Sequence, residues 1–271
     1  MTHPAENFRA LHIKGDPFIM VNIWDRGSAK MMQSMGAKAL ATSSAAHAFT
    51  MGRPDGGTIS RDEALAHAAE ILSVVSVPVQ GDFENGFGDD PDTCAETVRL
   101  AAEVGLAGIC IEDISTDGFD AYDFDLAVER IRASAEAARN LPHDFVLTAR
   151  ADGILRQRYD LDETIRRLQA FEAAGADCLY APLPATMDDL AQICSATNAP
   201  VNALVAGPYT DQSLKAFADI GVARISLGSS LARITHRAMY DAAVEMLQEG
   251  SFGDLGTGIG GGKIGHLLTQ E

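Results

Sequence analysis

Acidic side chains and one arginine end apolar runs of the kind that form buried strands. Asp82, Glu84, Glu112 and Arg150 all stand at such ends. Carboxylate oxygens suit Mg²⁺, which takes one or two direct carboxylates and keeps several waters. We therefore predict a magnesium site, also able to take Mn²⁺, that Asp82 binds directly and that Glu84 and Glu112 bind directly or through water. The alternative is that these acids are solvated loop residues or helix starts.

Arg150 is a basic residue at a strand end in a chain with a net charge of −17. A guanidinium can grip a carboxylate with two parallel hydrogen bonds, so Arg150 is predicted to bind an anionic substrate. The alternative is a structural ion pair with Asp82, Glu112 or Asp152.

Small polar residues follow the second apolar run, where Ser43 and Ser44 could bind a substrate carboxylate through hydroxyl and backbone N–H groups. A simple turn closed by the serine side chains is the alternative. Asp25 follows the first run, and we expect it to cap the next helix.

A repeated pattern places these residues on a fold. Four times a helix-like segment passes through glycine into a short apolar run, at Gly36, Gly105, Gly175 and Gly221. Glycine suits the left-handed position that ends a helix, and the run suits a buried parallel strand. Further runs lie at residues 18–23, 77–81, 145–149 and 201–204. Eight strand–helix units predict an α/β fold, a (β/α)8 barrel of the TIM type whose functional residues lie at the C-terminal strand ends. An open doubly wound sheet is the alternative.

Helix starts and irregular segments complete this outline. Helices are predicted to start at Ser60, at Asp90, at Asp160 or Asp162, and at Thr210 or Asp211. Residues 43–59 are expected to form a long loop. Residues 1–249 are assigned to one barrel domain and residues 250–271 to a Gly-rich tail with a short helix from residue 263. The tail is either a flexible terminus or a segment that docks on a neighbouring subunit.

Composition excludes several classes of protein. The chain has 271 residues with 38 acidic and 21 basic side chains, and such an acidic field disfavours binding to nucleic acid or to an anionic membrane. No apolar stretch is long enough to span a bilayer, and the N-terminus does not resemble a signal peptide. Four cysteines without a Cys-x-x-Cys pair are expected to be buried free thiols, which fits a cytoplasmic location.

The strand-end residues together resemble the isocitrate lyase/phosphoenolpyruvate mutase superfamily. Residues 82–88 are similar to its Asp-x-Asp-x-Gly-x-Gly metal motif, and residues 111–113 to its Ile-Glu-Asp strand end. Residues 148–152 resemble its Ala-Arg-Thr-Asp segment, residues 52–55 its Gly-x-Pro-Asp loop, and Asn202 its strand-7 asparagine. These motifs occur in chain order and cover most of the chain.

The resemblance implies a fold, a chemistry and a set of roles. The superfamily has barrels with a C-terminal helix often exchanged between subunits, so a homo-oligomer, a dimer or tetramer, is expected. Its members make or break C–C or P–C bonds beside a 2-oxo or 2-hydroxy acid through an enolate-like species, with Mg²⁺. By position, Asp82, Glu84 and Glu112 match the metal shell. The residues that match substrate contacts or the lining of the site are Trp24, Ser43, Ser44, Asp55, Arg150 and Asn202.

Departures from the family pattern narrow the function. Residues 114–120 lack the Lys-Lys-Cys-Gly-His of isocitrate and methylisocitrate lyases, residues 179–183 lack their strand-6 glutamate, and Glu84 replaces the usual second aspartate. We expect a C–C lyase, decarboxylase or hydrolase acting on a small 2-oxo or 2-hydroxy carboxylate. The alternatives are a P–C bond enzyme and a barrel that binds 2-oxo acids without turnover.

The missing loop residues leave the catalytic acid to be assigned. Asp55, Ser115 and Asp117 are the candidates by loop position, and Asp55 is preferred because Gly52, Gly56 and Gly57 let its loop close over the site. A carboxylate in such a closed pocket has its charged form disfavoured, which suits a proton donor. The alternative is that Asp55 only makes a Pro-Asp-Gly turn.

Overall fold

The computed structural model describes residues 4–115 and 120–269. Eight parallel strands pair in chain order and the last closes on the first, so the predicted barrel is confirmed. The strands are β1 (Phe18–Asn22), β2 (Ala39–Ala41), β3 (Val79–Asp82), β4 (Gly108–Glu112), β5 (Val146–Arg150), β6 (Cys178–Tyr180), β7 (Val201–Leu204) and β8 (Arg224–Ser226).

Helices surround the barrel and connect its strands. They are α1 (Pro4–Ala10), α2 (Arg26–Ser34), α3 (Ser44–Thr50), α4 (Arg61–Leu72), α5 (Pro91–Glu103), α6 (Phe124–Arg139), α7 (Leu161–Ala174), α8 (Met187–Ala196), α9 (Leu214–Asp219), α10 (Ser230–Val244) and α11 (Gly261–Thr269). The four glycines of the sequence repeat all have φ between 88° and 108°, so each adopts the left-handed conformation predicted for it.

Most predicted helix starts are confirmed by their caps. The side chains of Asp25, Ser60, Asp90 and Asp160 each accept a hydrogen bond from a backbone N–H three residues further along. The prediction for α9 was wrong, because Ser213 caps that helix through Ala216 N. Thr210 and Asp211 instead lie in a short 3₁₀ turn, Gly207–Asp211, before it.

Of the two irregular regions, the one after β2 contains a helix that was not predicted, and the C-terminal tail contains the helix that was predicted. Residues 43–59 were expected to be a loop, but their first part forms α3, because Ser43 caps a run rich in alanine. The predicted last helix corresponds to α11, which packs against α2, with Ser34 Oγ donating to Leu267 O at 2.5 Å.

The lower, N-terminal end of the barrel is closed by the start of the chain. Phe8 of α1 is fully buried against Phe18, Met20, Val146 and Cys178, which come from β1, β5 and β6. The four cysteines are buried and free, as predicted. No helix among the described residues is long and apolar enough to cross a membrane.

Candidate active site

A cavity of about 230 Å³ opens at the C-terminal ends of the strands. Its walls bring together most of the side chains predicted from the sequence, namely Ser43, Ser44, Asp55, Asp82, Glu84, Glu112, Arg150 and Asn202. Trp24 is not among the described residues that line it; its carbonyl oxygen contacts His67 Nε2 at 2.8 Å. Ser115 lines the cavity, whereas Asp117 lies outside the described residues.

Arg150, at the end of β5, is held by three carboxylates. Its Nε and Nη2 donate to the two oxygens of Asp152 at 2.9 and 2.8 Å. Its Nη1 lies 3.0 Å from Asp82 Oδ1 and 2.9 Å from Glu112 Oε1. The ion pairs considered as the alternative role of Arg150 therefore all exist, and the fork of its guanidinium grips Asp152.

Asp82, at the end of β3, is bonded through both oxygens. Its Oδ2 accepts from Ser44 N and from Ser44 Oγ, both at 2.9 Å. Its Oδ1 accepts from Arg150 and from the buried Cys110 thiol, whose Sγ is 3.3 Å away. Ser43 caps α3 by accepting from Ala46 N at 3.3 Å, so its side chain has the local turn role that was the alternative to substrate binding.

Burial and mutual repulsion raise the pKa of three acids in the cavity. Burial raises the pKa of Glu84 to about 7, with Asp82 and Asp55 adding repulsion against the hydrogen bond from Gly57 N. Burial raises the pKa of Glu112 well above its ordinary value, although Arg150 opposes this. Burial and the charge of Asp82 also raise the pKa of Asp55. Ionising these three acids in the cavity is therefore costlier than ionising them in water.

The donor set fits a hard divalent cation. The charged oxygens around the cavity are carboxylates, and a cation beside them would relieve the repulsion that raises their pKa values. Within the described ranges, no group of three or more His, Cys, Asp or Glu side chains is arranged so that it could hold a metal ion. That is compatible with Mg²⁺, which takes only one or two carboxylates and completes its shell with water.

The floor of the cavity carries a buried arginine that the sequence reading missed. Arg224 of β8 is 1% exposed, and its hydrogen-bond partners are neutral. It donates to Asn202 Oδ1 and Gln80 Oε1, both at 2.8 Å, to Thr148 Oγ1 at 3.2 Å, and contacts His12 Nε2 at 3.1 Å. Asn202 also donates to Ser226 Oγ at 2.8 Å, so both ends of its amide are used. A charged residue inside an otherwise apolar strand was the available signal.

A buried acid behind the site supports Arg150 indirectly. Asp113 is 2% exposed and accepts from Asp152 N at 2.8 Å, from Tyr159 Oη at 2.7 Å and from Arg167 Nη1 at 3.0 Å. It thereby fixes the peptide of Asp152, which in turn orients the guanidinium of Arg150. The position of Asp113 directly after Glu112 in the sequence was the available indication that a second acid lies beside the site.

A family model and two relatives match most of the chain in sequence. The family model described as phosphoenolpyruvate phosphomutase matches residues 8–247. An uncharacterized protein of Mycobacterium tuberculosis (strain ATCC 25618 / H37Rv) is 36% identical over 224 residues, which make up 82% of each chain. The 2-methylisocitrate lyase of Escherichia coli (strain K12) is 31% identical over 209 residues, covering 73% of this chain and 68% of the lyase.

Solved structures extend the likeness to the whole chain. A Burkholderia cenocepacia J2315 protein, provisionally described as a lyase or mutase, superposes with a TM-score of 0.93 at 44% identity. The superposition covers 98% of this chain and 95% of that protein.

Proposed function

Because the chain belongs to the phosphoenolpyruvate phosphomutase family, within the isocitrate lyase/phosphoenolpyruvate mutase superfamily, we propose that it is a magnesium-dependent carbon–carbon lyase, decarboxylase or hydrolase. Its substrate is a small 2-oxo or 2-hydroxy carboxylate. The observation that carries the proposal is the convergence of Asp82 Oδ1 and Glu112 Oε1 on one nitrogen of Arg150, at 3.0 and 2.9 Å, inside a cavity of small-molecule size.

The proposed chemistry requires positive charge where an oxyanion develops. Breaking a C–C bond beside a carbonyl leaves an electron pair that spreads onto the carbonyl oxygen as an enolate. Arg150, oriented by Asp152, is the cation that this chain itself supplies there. A divalent cation held by Asp82 and Glu112 would polarise the same oxygen as a Lewis acid.

A proton must reach the carbon that gains the electron pair. Asp55 lines the cavity, and its raised pKa favours the protonated form that a general acid needs. We assign it this role in the proposed reaction, in place of the residues that the loop after β4 lacks. Ser44 holds Asp82 in place through two hydrogen bonds and so orients the acid that faces Arg150.

A substrate screen tests the proposal. Oxaloacetate, 2-methylisocitrate, 2,3-dimethylmalate and phosphonopyruvate are each incubated with the protein and Mg²⁺, with and without a chelator. Release of pyruvate or another 2-oxo acid from a carbon substrate, lost on chelation, supports the lyase-type proposal. Release of inorganic phosphate from phosphonopyruvate alone would replace it with P–C bond chemistry. Binding of all four without turnover would replace it with a non-catalytic binding protein.

The metal part of the proposal has a separate test. Asp82→Ala is expected to abolish calorimetric binding of Mg²⁺ or Mn²⁺ while the far-UV circular dichroism spectrum stays that of the folded chain. Glu103→Ala, at an exposed position of α5, serves as the control. Equal metal affinity in the two variants would contradict the assignment of Asp82.

The surface supports a further part of the proposal, a homo-oligomer. Large apolar side chains are exposed along α10 and the segment after it, including Met239 at 65%, Leu247 at 83% and Phe252 at 65%. Contiguous exposed apolar surface on a folded protein indicates a surface that another protein covers. We propose that a second copy of this chain covers it, as in a symmetric dimer or a tetramer.

A further inference from the structure

Glu84 contacts the loop that carries Asp55 as well as lining the cavity. Glu84 Oε2 accepts a hydrogen bond from Gly57 N at 2.9 Å, across from the end of β3 to the loop after α3. Asp55 stands two residues before Gly57 in that loop. Glu84 therefore holds this loop two residues away from Asp55.

The turn formed by residues 54–58 is braced internally and through Arg53, whose guanidinium also lies 3.0 Å from Glu63 of α4. Thr58 Oγ1 donates to Pro54 O at 2.6 Å, and Arg53 Nη1 donates to Thr58 O at 3.0 Å. Gly52 and Gly56 have no atom within 4 Å of the position that a Cβ would occupy, so the space on that side of each glycine is open. Among the described residues, the bond from Gly57 to Glu84 is the hydrogen bond that joins this turn to a neighbouring strand end.

Glu84 also differs from the other two acids of the predicted metal shell. Asp82 and Glu112 both reach Arg150 Nη1, at 3.0 and 2.9 Å, and so face one point. Glu84 forms no ion pair with Arg150 among the described residues and turns its carboxylate to the 54–58 turn. Its backbone has φ of 45°, a left-handed conformation that non-glycine residues rarely adopt and that the surrounding structure must hold.

We propose that Glu84 is a positioning residue that holds the 54–58 turn, and with it Asp55, over the cavity, and that it is not a direct metal ligand. A glutamate reaches Gly57 where the aspartate of the related metal motif would be one methylene too short. The inference rests on the proposed function only for the role of Asp55; the contact with Gly57 and the absence of a metal role can be tested without any activity.

Two substitutions at residue 84 separate the two roles. Glu84→Asp keeps a carboxylate near the cavity and tolerates the left-handed backbone, but it cannot span the distance to Gly57. Glu84→Gln keeps the length and an oxygen acceptor but removes the negative charge. Loss of the turn contact therefore appears in the aspartate variant, whereas loss of a metal ligand appears in the glutamine variant. Glu103→Asp and Glu103→Gln on the exposed end of α5 are the matched controls.

Hydrogen exchange followed by mass spectrometry on the metal-free chain reads the contact directly. We expect the peptide containing Gly57 to exchange about tenfold faster in Glu84→Asp than in the wild type, as the loss of one hydrogen bond implies, and Glu84→Gln to stay closer to the wild type. Calorimetric titration with Mn²⁺ should give affinities within about threefold of the Glu103 controls for both variants, since a positioning residue does not bind the ion.

Kinetics give the readout that links Glu84 to Asp55. With a substrate from the screen, Glu84→Asp should lower kcat more than it raises KM, and Glu84→Asp combined with Asp55→Asn should be no slower than Asp55→Asn alone. Unchanged exchange at Gly57 in Glu84→Asp, or a loss of Mn²⁺ affinity of about tenfold or more in Glu84→Gln, would overturn the inference. If no substrate turns over, the exchange and calorimetric results still decide it, and only the proposed function fails.

Discussion

At Arg150, one guanidinium serves three carboxylates, and this sharing sets what a substitution can do there. Nε and Nη2 contact Asp152, while Nη1 contacts Asp82 and Glu112. The planar fork of arginine makes these contacts simultaneously, whereas the ammonium of lysine is a single compact charge. The geometry around Arg150 therefore depends on the shape of the side chain as much as on its charge.

Arg150→Lys is expected to weaken the binding of oxalate, a stable 2-oxo acid mimic, by about tenfold or more, because the charge remains but the bidentate contact with Asp152 that orients it is lost. Calorimetric titration of oxalate in the presence of Mg²⁺ measures the change. Arg132→Lys, an exposed position on α6, is the control. Equal affinity for oxalate in the two variants would contradict a substrate-binding role for Arg150.

Asp55→Asn is expected to lower kcat on the identified substrate by at least about 100-fold, the range of a lost general acid, while the turn that contains it is retained. Because burial and Asp82 raise the pKa of Asp55, the wild-type rate should fall as pH rises through that pKa and deprotonates the acid. The variant should lack this fall. A kcat within a few-fold of the wild type would leave Asp55 with only a turn role.

The meeting of these side chains at one end of the barrel was predictable at this scale, but the partner of each side chain was not. Asp82, Glu112 and Arg150 follow apolar runs, and the barrel topology requires such positions to meet at one end. The sequence does not say which oxygen faces which nitrogen, so the pairing of Ser44 with Asp82 was missed. Arg224 was missed for a different reason, since its contacts are with neutral groups far apart in the chain.

At the scale of elements, α6 fixes the loop that follows β3. Arg130 of α6 is 1% exposed and donates to three carbonyl oxygens, those of Asn85, Gly88 and Glu112. Its guanidinium lies 3.9 Å from the centre of the Tyr122 ring. Phe87 lies within the loop held in this way, and Glu84 directly precedes it. Both residues have the left-handed backbone conformation, so the helix supports a backbone that would not adopt this shape alone.

Arg130→Gln is expected to lower the free energy of unfolding by about 3 kcal/mol, because it leaves buried carbonyl oxygens without donors. Urea denaturation followed by circular dichroism measures the difference. Arg132→Gln, two residues along the same helix and exposed, should change the free energy of unfolding by less than about 0.5 kcal/mol. Similar values for the two variants would mean that Arg130 does not hold the loop.

Element boundaries were predictable where a side chain signals them. Asp25, Ser60, Asp90 and Asp160 cap helices because an oxygen at that position accepts an otherwise unpaired backbone N–H. The short helix α3 was missed because its seven residues are too few to show a helical period. The start of α9 was misplaced because Thr210, Asp211 and Ser213 are all competent caps, and only the tertiary structure selects Ser213.

At the scale of the whole molecule, the cavity at the C-terminal ends of the strands gathers more carboxylates than arginines among the described residues. In the part of the chain that the structure describes, the cavity is lined by five carboxylates and three arginines, namely Asp55, Asp82, Glu84, Glu112 and Asp152 against Arg150, Arg156 and Arg224. Carboxylates that are costly to ionise in the folded state destabilise it as they lose their protons. The site is therefore expected to limit stability at neutral pH in the absence of a cation.

The Glu84→Gln variant measures this cost. The pKa of Glu84 is raised from 4.5 to about 7, so the folded chain binds more protons than the unfolded chain between these values, and the contribution of Glu84 to stability is lost as pH rises through this window. The free energy of unfolding of the variant, relative to the wild type without metal, should increase from pH 4.5 to about pH 7 and then level off. A difference independent of pH would contradict the raised pKa.

The exposed apolar surface of α10 and the following segment predicts how the chain assembles. Tyr240→Lys combined with Leu247→Lys should convert an oligomeric wild type largely to monomer in analytical ultracentrifugation, because two charges would have to be buried in the interface. Leu214→Lys, an exposed position on α9, should leave the assembly unchanged. Sedimentation of the wild type as a monomer at tens of micromolar, roughly the range in which weak dimers form, would contradict the proposal.

The number of strands was predictable at this scale, whereas the exposure of the apolar residues of α10 was not. Four glycine-marked repeats and four intervening runs gave the eight strands, because each left-handed glycine ends a helix at the same point of a strand–helix unit. The apolar residues of α10 have a spacing compatible with either a buried or an exposed face. Only the packing around them distinguishes the two cases.

The closed lower end of the barrel has a consequence for the order of events in turnover. Phe8 and its neighbours close that end, and Arg224 with its partners forms the floor of the cavity, so the described residues leave the cavity open at the C-terminal ends of the strands. If the proposed cleavage takes place, both fragments therefore leave by the opening through which the substrate entered. In the proposed cleavage, the fragment that lies deeper in the cavity leaves second, because the other fragment blocks its way to the opening. Steady-state product inhibition should then be competitive with substrate for the fragment that leaves last and noncompetitive for the fragment that leaves first.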